Sequence, residues 1–363
     1  MLNARVCVAS VEMPRCWRAL LIAAAMAIGA APPSGAQTLP AVSIGGGVQS
    51  SFFHTAPDEE DGTDTFALNS VRLYVNGSAT NNIKIMFNTE YDGTKNTVNV
   101  MDAVGQFVFS DKFNVWFGRF LPPSDRANLY GPYYSHHWSV YSDGVQDGYP
   151  FIFQGRANGA MYWGQFGKVK VSGGAFDGMS LNGDDTVLAA GRVQVDFWDP
   201  EAGYYLNGTY YGDKNLLAIG GAVQAQGSDK TAYNVDFLLE RKVGGDGGGG
   251  AVTVEAEWAK YDHLGGYSSS YGTDDGGYVL GSYLFPKAVG VGKFELLGKF
   301  AKAHFREGLT PKDIDYDQNT NEINFNYVIK QFNARVMMFF KDTRFDAVRT
   351  DFMQFGVGVQ LQM

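Results

Sequence analysis

The chain has 363 residues and a formal net charge of −9, an acidic balance that excludes a nucleic-acid partner, whose phosphates require a basic face. Its two cysteines, Cys7 and Cys16, both lie close to the N-terminus, so the rest of the chain has no disulfide framework and no thiol nucleophile or ligand. The 46 glycines and the 14% of aromatic residues suit an all-β chain, in which glycine serves the turns.

In chain order, Arg15 and Arg18 precede an apolar run, Ala19 to Ala31, too short to cross a bilayer as a mature helix. Small residues lead to Ser34-Gly35-Ala36, and the pattern reads as a signal peptide over residues 1–36, against a buried N-terminal helix as the alternative. The segment holds three arginines, one glutamate and both cysteines, so its removal takes the net charge to about −11. Export without cysteine fits a Gram-negative envelope. Residues 37–363 show no linker or composition shift and read as one domain.

That domain is a series of runs with period 2. Val71, Leu73 and Val75 alternate with Arg72, Tyr74 and Asn76, and Ile83, Ile85 and Phe87 with Lys84, Met86 and Asn88. Phe113–Phe120 ends at Pro122-Pro123, and the next thirty residues follow no clean period. Phe153, Gly155, Ala157 and Gly159 then alternate with Gln154, Arg156 and Asn158, and Val193, Val195 and Phe197 with Arg192, Gln194 and Asp196. The pattern recurs at Tyr233–Glu240, Val252–Trp258, Phe294–Phe300, Ile323–Ile329 and Ala334–Phe340, and it closes at Phe355, Val357, Val359, Leu361 and Met363.

In a soluble sandwich the apolar faces form a core. In an outer-membrane barrel they face lipid and the polar faces line a lumen. Mid-strand charges on face after face, alternating short and long connections and an amphipathic final strand favour a transmembrane antiparallel β-barrel. With 199–215 counted as one connection, about 16 strands result, enough to leave an aqueous channel.

The aperiodic stretch 121–150 is then the third loop at its end of the barrel, and its aromatic content suits a loop folded into the lumen. It carries Asp125, Arg126, Tyr130, Asp143 and Asp147 and has no lysine. Its tyrosines read as packing rather than as a solute slide. Arg72, Lys84, Arg156, Arg192 and Arg335 are wall candidates; Lys168, Lys170, Lys299 and Lys341 join them on the polar faces. Against these stand Glu90, Asp102, Asp196, Asp236, Glu240, Glu255, Glu257 and Glu295. Arg119 has the wrong parity for the lumen and reaches it only through a bulge near Gly118. The cluster Asp58–Asp64 lacks an EF-hand spacing and reads as solvated loop, and the run Gly244–Gly250 reads as a turn. No metal, nucleotide or redox cofactor is expected.

Gly118-Arg119-Phe120 with Pro122-Pro123, Tyr130-Gly131-Pro132 and Asp147-Gly148-Tyr149-Pro150 resemble the phosphate-selective porin family of the O/P type. The resemblance is specific over residues 116–156 and looser over 199–205 and 214–220. It implies a homotrimeric outer-membrane channel constricted by the third loop, assembled by the barrel-assembly machinery and surrounded by lipid. The balanced charges favour a general or weakly selective porin that passes small hydrophilic solutes or inorganic ions. A phosphate- or anion-selective porin is the alternative; phosphate filters rely on several lysines and arginines, whereas this loop has no lysine and Arg126 as its only arginine. A more distant alternative is an outer-membrane hydrolase built on His54, His263 beside Asp262, and His304, although no nucleophile motif accompanies them. Edman sequencing of the exported protein is expected to begin at Gln37; a start at Met1 would overturn the signal-peptide reading.

Overall fold

The computed structural model describes residues 41–363 other than 93–95, 139, 141, 146–154, 178–186, 229, 245–248, 265–272, 308–313 and 347–348. The expected signal segment and Asp147 lie outside the described residues. The strands are β1 Val42–Pro57, β2 Thr63–Ser78, β3 Ile83–Asp92, β4 Thr97–Ser110, β5 Phe113–Phe120, β6 Ala157–Phe166, β7 Val169–Asp177 and β8 Val187–Asp196. They continue as β9 Leu216–Gln226, β10 Lys230–Val243, β11 Gly250–Asp262, β12 Thr273–Leu284, β13 Lys293–Glu307, β14 Ile314–Lys330, β15 Ala334–Phe345 and β16 Phe352–Gln362.

Each strand pairs antiparallel with its sequence neighbours, and β1 pairs with β16 from Gly47↔Gln362 to Pro57↔Phe352, closing a 16-stranded barrel. Closure pairs every strand on both sides and leaves no free edge. The burial pattern inverts that of a soluble protein. Val193, Val223, Val235, Ile323 and Phe355 are exposed on the outer face, while Arg192, Gln224, Asp236 and Glu322 are buried within. The period-2 runs force this split, because successive side chains of a strand point to opposite faces.

Three places along the alternation matter for the interior. The β3–β4 register passes from Asn88↔Asp102 to Thr89↔Val100, so Met101 is the extra residue of a bulge, and Met101 and Asp102 are both buried. The run expected at Phe153–Gly159 does not form as read. The strand begins at Ala157, with Ala157 and Met161 buried and Asn158 exposed, the reverse of the expected phase. Gly155, at φ 75°, resets the chain just before the strand, so Arg156 still reaches the interior from the position ahead of it. Residues 153 and 154 lie outside the described residues.

Arg119 is the third. It pairs with Ala103 on one side and Asn158 on the other without a register shift, so no bulge near Gly118 turns it inward. Gly118 itself adopts φ 130°, and a Cβ there would lie 2.1 Å from the carbonyl oxygen of Ala103. Gly118→Ala is therefore expected to destabilise the barrel by about 1–3 kcal/mol through backbone strain, read as a lower urea midpoint for tryptophan fluorescence. An unchanged midpoint would show that the strand shifts without penalty.

Candidate functional site

The lumen is filled from both ends. At one end the β5–β6 connection enters. Pro122-Pro123 stop the strand, since proline offers no N–H to the ladder. Asp125 then caps the short helix α1, Arg126–Tyr130, its carboxylate accepting from the Asn128 backbone N–H at 2.7 Å and from Asn128 Nδ2 at 2.6 Å. Gly131, at φ 62°, turns the chain into a 3₁₀ turn at Pro132–Tyr134.

From there the connection is bonded around the wall. Gln224 Nε2 of β9 donates to the Pro123 carbonyl at 3.0 Å, and the Tyr130 hydroxyl donates to Glu255 of β11 at 2.8 Å. His136 Nε2 lies 2.7 Å from Glu295 of β13 and 3.1 Å from Ser282 Oγ of β12. The Trp138 N–H donates to Asn324 of β14 at 3.3 Å, and Arg335 of β15 donates to the Ser135 carbonyl at 2.5 Å. Gln360 of β16 donates to the Tyr133 carbonyl at 2.9 Å. The described part of the connection thus covers the inner face from β8 to β16.

At the other end the β8–β9 connection, 199–215, also turns inward. Tyr204 meets Trp116 of β5 edge-on and Tyr205 meets it tilted, at 5.2 and 5.9 Å between centroids, in a cluster with the buried Phe120, Met161 and Leu206. The two connections meet. Leu206 N–H donates to the Leu129 carbonyl at 3.3 Å, and Gly208 N–H to the Tyr134 carbonyl at 2.9 Å. Arg126 forms a fork on the fully buried Glu201 and also donates to the Asn207 carbonyl at 3.1 Å. Burial opposes the charged form of Glu201, but the Arg126 guanidinium outweighs it and holds the carboxyl at about 2. Sequence reading treated 199–215 as a connection without assigning Glu201 a role; the available signal was a carboxylate among the aromatics Tyr204, Tyr205, Tyr210 and Tyr211.

The loop charges therefore sit in the packing. Asp125 is a helix cap, Arg126 holds Glu201, and Asp143 is paired with Lys299. Tyr130 lines a cavity. On the wall, Arg72 is paired with Glu90, Arg156 with Asp102 and Arg192 with Asp236. Arg335 instead donates to carbonyl groups and to Gln360 at 2.7 Å. Lys84 is half-buried near the β2–β3 turn, beside Asn76 and Gln106. Lys168 is a turn residue that donates to the Phe197 carbonyl, outside the lumen. Glu322 of β14 faces inward and was missed, because the strand begins well before Ile323.

Among the described residues, open space remains along β1–β4. A cavity of about 490 Å³ is lined by Arg72, Tyr74, Asn88, Asp102, Tyr130 and Arg156 among others. A second, of about 170 Å³, is lined by Gln49, Ser70, Arg72, Glu90 and Trp138. Both reach Arg72 and Pro132. Between them the ring of Tyr133 rests against Gly47, where a Cβ would lie 2.5 Å from it, and 4.7 Å from the Arg72 guanidinium. Gly47 and Arg72 are cross-strand partners, so this waist occupies a single level of the wall.

Adjacent histidines have opposite tendencies. Burial opposes protonation of His136, but Glu295 prevails and raises its pKa. Burial and the neighbouring Lys299 push His137 well below the ordinary value; its Nε2 lies 3.1 Å from Lys299 Nζ. The other three histidines each lie against a carboxylate: His54 on Asp64, His263 on Asp262, and His304 on Asp315 and Asp317. His54 on β1 and His304 on β13 are four strand steps apart, roughly 19 Å at about 4.8 Å per step. Among the described residues no group of three His, Cys, Asp or Glu side chains is placed to hold a metal.

Glu201→Gln removes the fork on the buried Arg126 guanidinium and leaves it only the longer contact to Asp236 among the described carboxylates, a loss of at most about 3–5 kcal/mol. The expected result is faster proteolytic cleavage within 121–150 while the barrel keeps its β-sheet circular dichroism; unchanged cleavage would show that the two connections hold without this pair.

No protein-family model matches the chain, and no curated protein sequence matches it. Solved structures do. The anion-selective porin from Comamonas acidovorans is 15% identical, with 89% of this chain and 100% of that one covered, at a TM-score of 0.56. Pseudomonas putida OprB is 10% identical over 89% of this chain and 94% of its own, at a TM-score of 0.59. OmpT, an outer membrane protein of Vibrio cholerae, in its trimer form, is 14% identical over 90% and 100%, at a TM-score of 0.53. At these identities the likeness establishes that the chain has their barrel fold.

Proposed function

We propose that the chain is an outer-membrane porin of a Gram-negative bacterium, a water-filled channel through which small hydrophilic solutes or ions diffuse passively. The observation that carries this reading is the inverted wall, with apolar side chains outside, charged ones inside, and open space left along β1–β4. The fold shared with outer-membrane proteins and the N-terminal signal pattern support it. The loop 121–150 is the constriction, with Tyr130 on the solute path and Asp125, Arg126 and Asp143 holding it in place; Asp147 lies outside the described residues. Arg72 and Arg156 are the wall charges next to the open space, Lys84 lies toward the turn-end mouth, and Arg192 and Arg335 anchor the loop. Arg119 stays off the path. The trimer form of one similar structure supports a homotrimer here too.

The channel is general or weakly selective. Strong anion selection needs cationic groups whose charge is offered to the solute, whereas Arg72, Arg156 and Arg192 each carry a carboxylate of the protein itself. The phosphate-selective reading keeps one observation in its favour, the O/P-type pattern over 116–156. A hydrolase has little support, because the paired histidines lie apart along the wall. Purified protein in a planar bilayer under a potassium chloride gradient is expected to conduct with a reversal potential near zero and no block by added phosphate. Strong anion selectivity with phosphate block would establish the phosphate-selective alternative, and absence of conductance would overturn the porin reading.

A further inference from the structure

We propose that the waist formed by Arg72, Glu90 and Tyr133, with the cavity beneath it, favours neutral, multiply hydroxylated solutes over anions of the same size. The inference rests on the channel reading above and names the class of its cargo.

The guanidinium of Arg72 lies against two groups of this chain that bear on a passing anion. Its Nε is bonded to the Glu90 carboxylate, and the Tyr133 ring covers it at 4.7 Å. The Ser70 hydroxyl donates to the same carboxylate, fixing Glu90 beside the arginine. An anion arriving at Arg72 therefore meets the negative charge of Glu90 at the same place. Farther along the cavity the arrangement repeats. Arg156 Nε lies 3.2 Å from Asp102 Oδ1, and Asn88 Nδ2 donates to Asp102 Oδ2 at 2.9 Å. Each arginine on the path comes with its own carboxylate, so the local charge sums close to zero. An ion entering such a passage loses hydration without a matching countercharge, which costs more than the same step for a neutral solute.

The rest of the lining suits hydroxyl groups. Asn76, Asn88, Asn128 and Asn207 contribute amides, each able to donate and to accept, as a hydroxyl does. Tyr74, Tyr130, Tyr134 and Tyr205 contribute rings with an apolar face and a polar tip, complementary to the C–H faces and hydroxyl edges of a polyol. The cavity volume of about 490 Å³ falls within the roughly 300–1,000 Å³ of small-molecule sites, enough for a monosaccharide.

The test is efflux from proteoliposomes loaded with a radiolabelled neutral hexose and, separately, with the hexonate that differs from it by one carboxylate. Wild type is expected to release the hexose severalfold faster. Glu90→Gln and Asp102→Asn, each checked for the heat-dependent gel migration of a folded barrel, are expected to raise hexonate flux and narrow the ratio, because each leaves an arginine uncompensated. Equal or faster hexonate release by wild type overturns the proposal, as does an unchanged ratio in both folded variants. Release of neither solute by folded wild type overturns the channel reading and this inference with it.

Discussion

Two segments that enter the barrel from opposite ends are tied together by one buried ion pair, Arg126 on Glu201, and the interior is arranged around that tie. Arg126 has Asp236 near its other side, 3.7 Å from Nε, and Arg192 shares Asp236. The loop, the β8–β9 connection and the walls of β8 and β10 thus form one charge network. A buried guanidinium left alone would be costly, so the position of each segment is dictated by the other. Along β1–β4 the described loop residues leave cavities, with Tyr133 against Gly47 and Arg72 and the Pro132 carbonyl accepting from Gln49.

A barrel with an apolar exterior has to place its charges inside, and the manner of their pairing decides what the lumen offers. Here a carboxylate of the wall or of a connection answers most of the cations, and the buried histidines and tyrosines join the same contacts. The long loop has few charges of its own, and those it has are consumed in holding position. The cavity along β1–β4 is lined by amides and phenols of the wall and of both connections, beside the pairs Arg72–Glu90 and Arg156–Asp102.

The barrel was legible because period 2 is a local property: Val193 through Phe197 or Phe355 through Leu361 can be assigned to a face without knowing any partner. The strand count followed once 199–215 was treated as one connection. The phase of β6 was not legible, because a glycine at positive φ resets alternation and a string of residues does not reveal φ. The pairing of Arg126 and Asp143 was equally hidden, since their partners Glu201 and Lys299 lie far away in sequence and meet them only through the path of the loop. A helix cap three residues long can be read from sequence; an ion pair across seventy-five positions cannot. The same limit hid His136 and His137, which look like two more polar residues of an irregular stretch.

These two histidines make the inner loop sensitive to acidity from both directions. His136 is held in its protonated form by Glu295, so its contribution to anchoring is complete below about 6.5 and is lost as the medium turns alkaline through its raised pKa. His137 accepts from Lys299 as the neutral ring, so its contribution is complete above about 6.5 and fades as acid takes the medium down through its lowered pKa. Side by side in the chain, the two histidines answer acidity in opposite senses, one contact weakening as pH rises and the other as it falls.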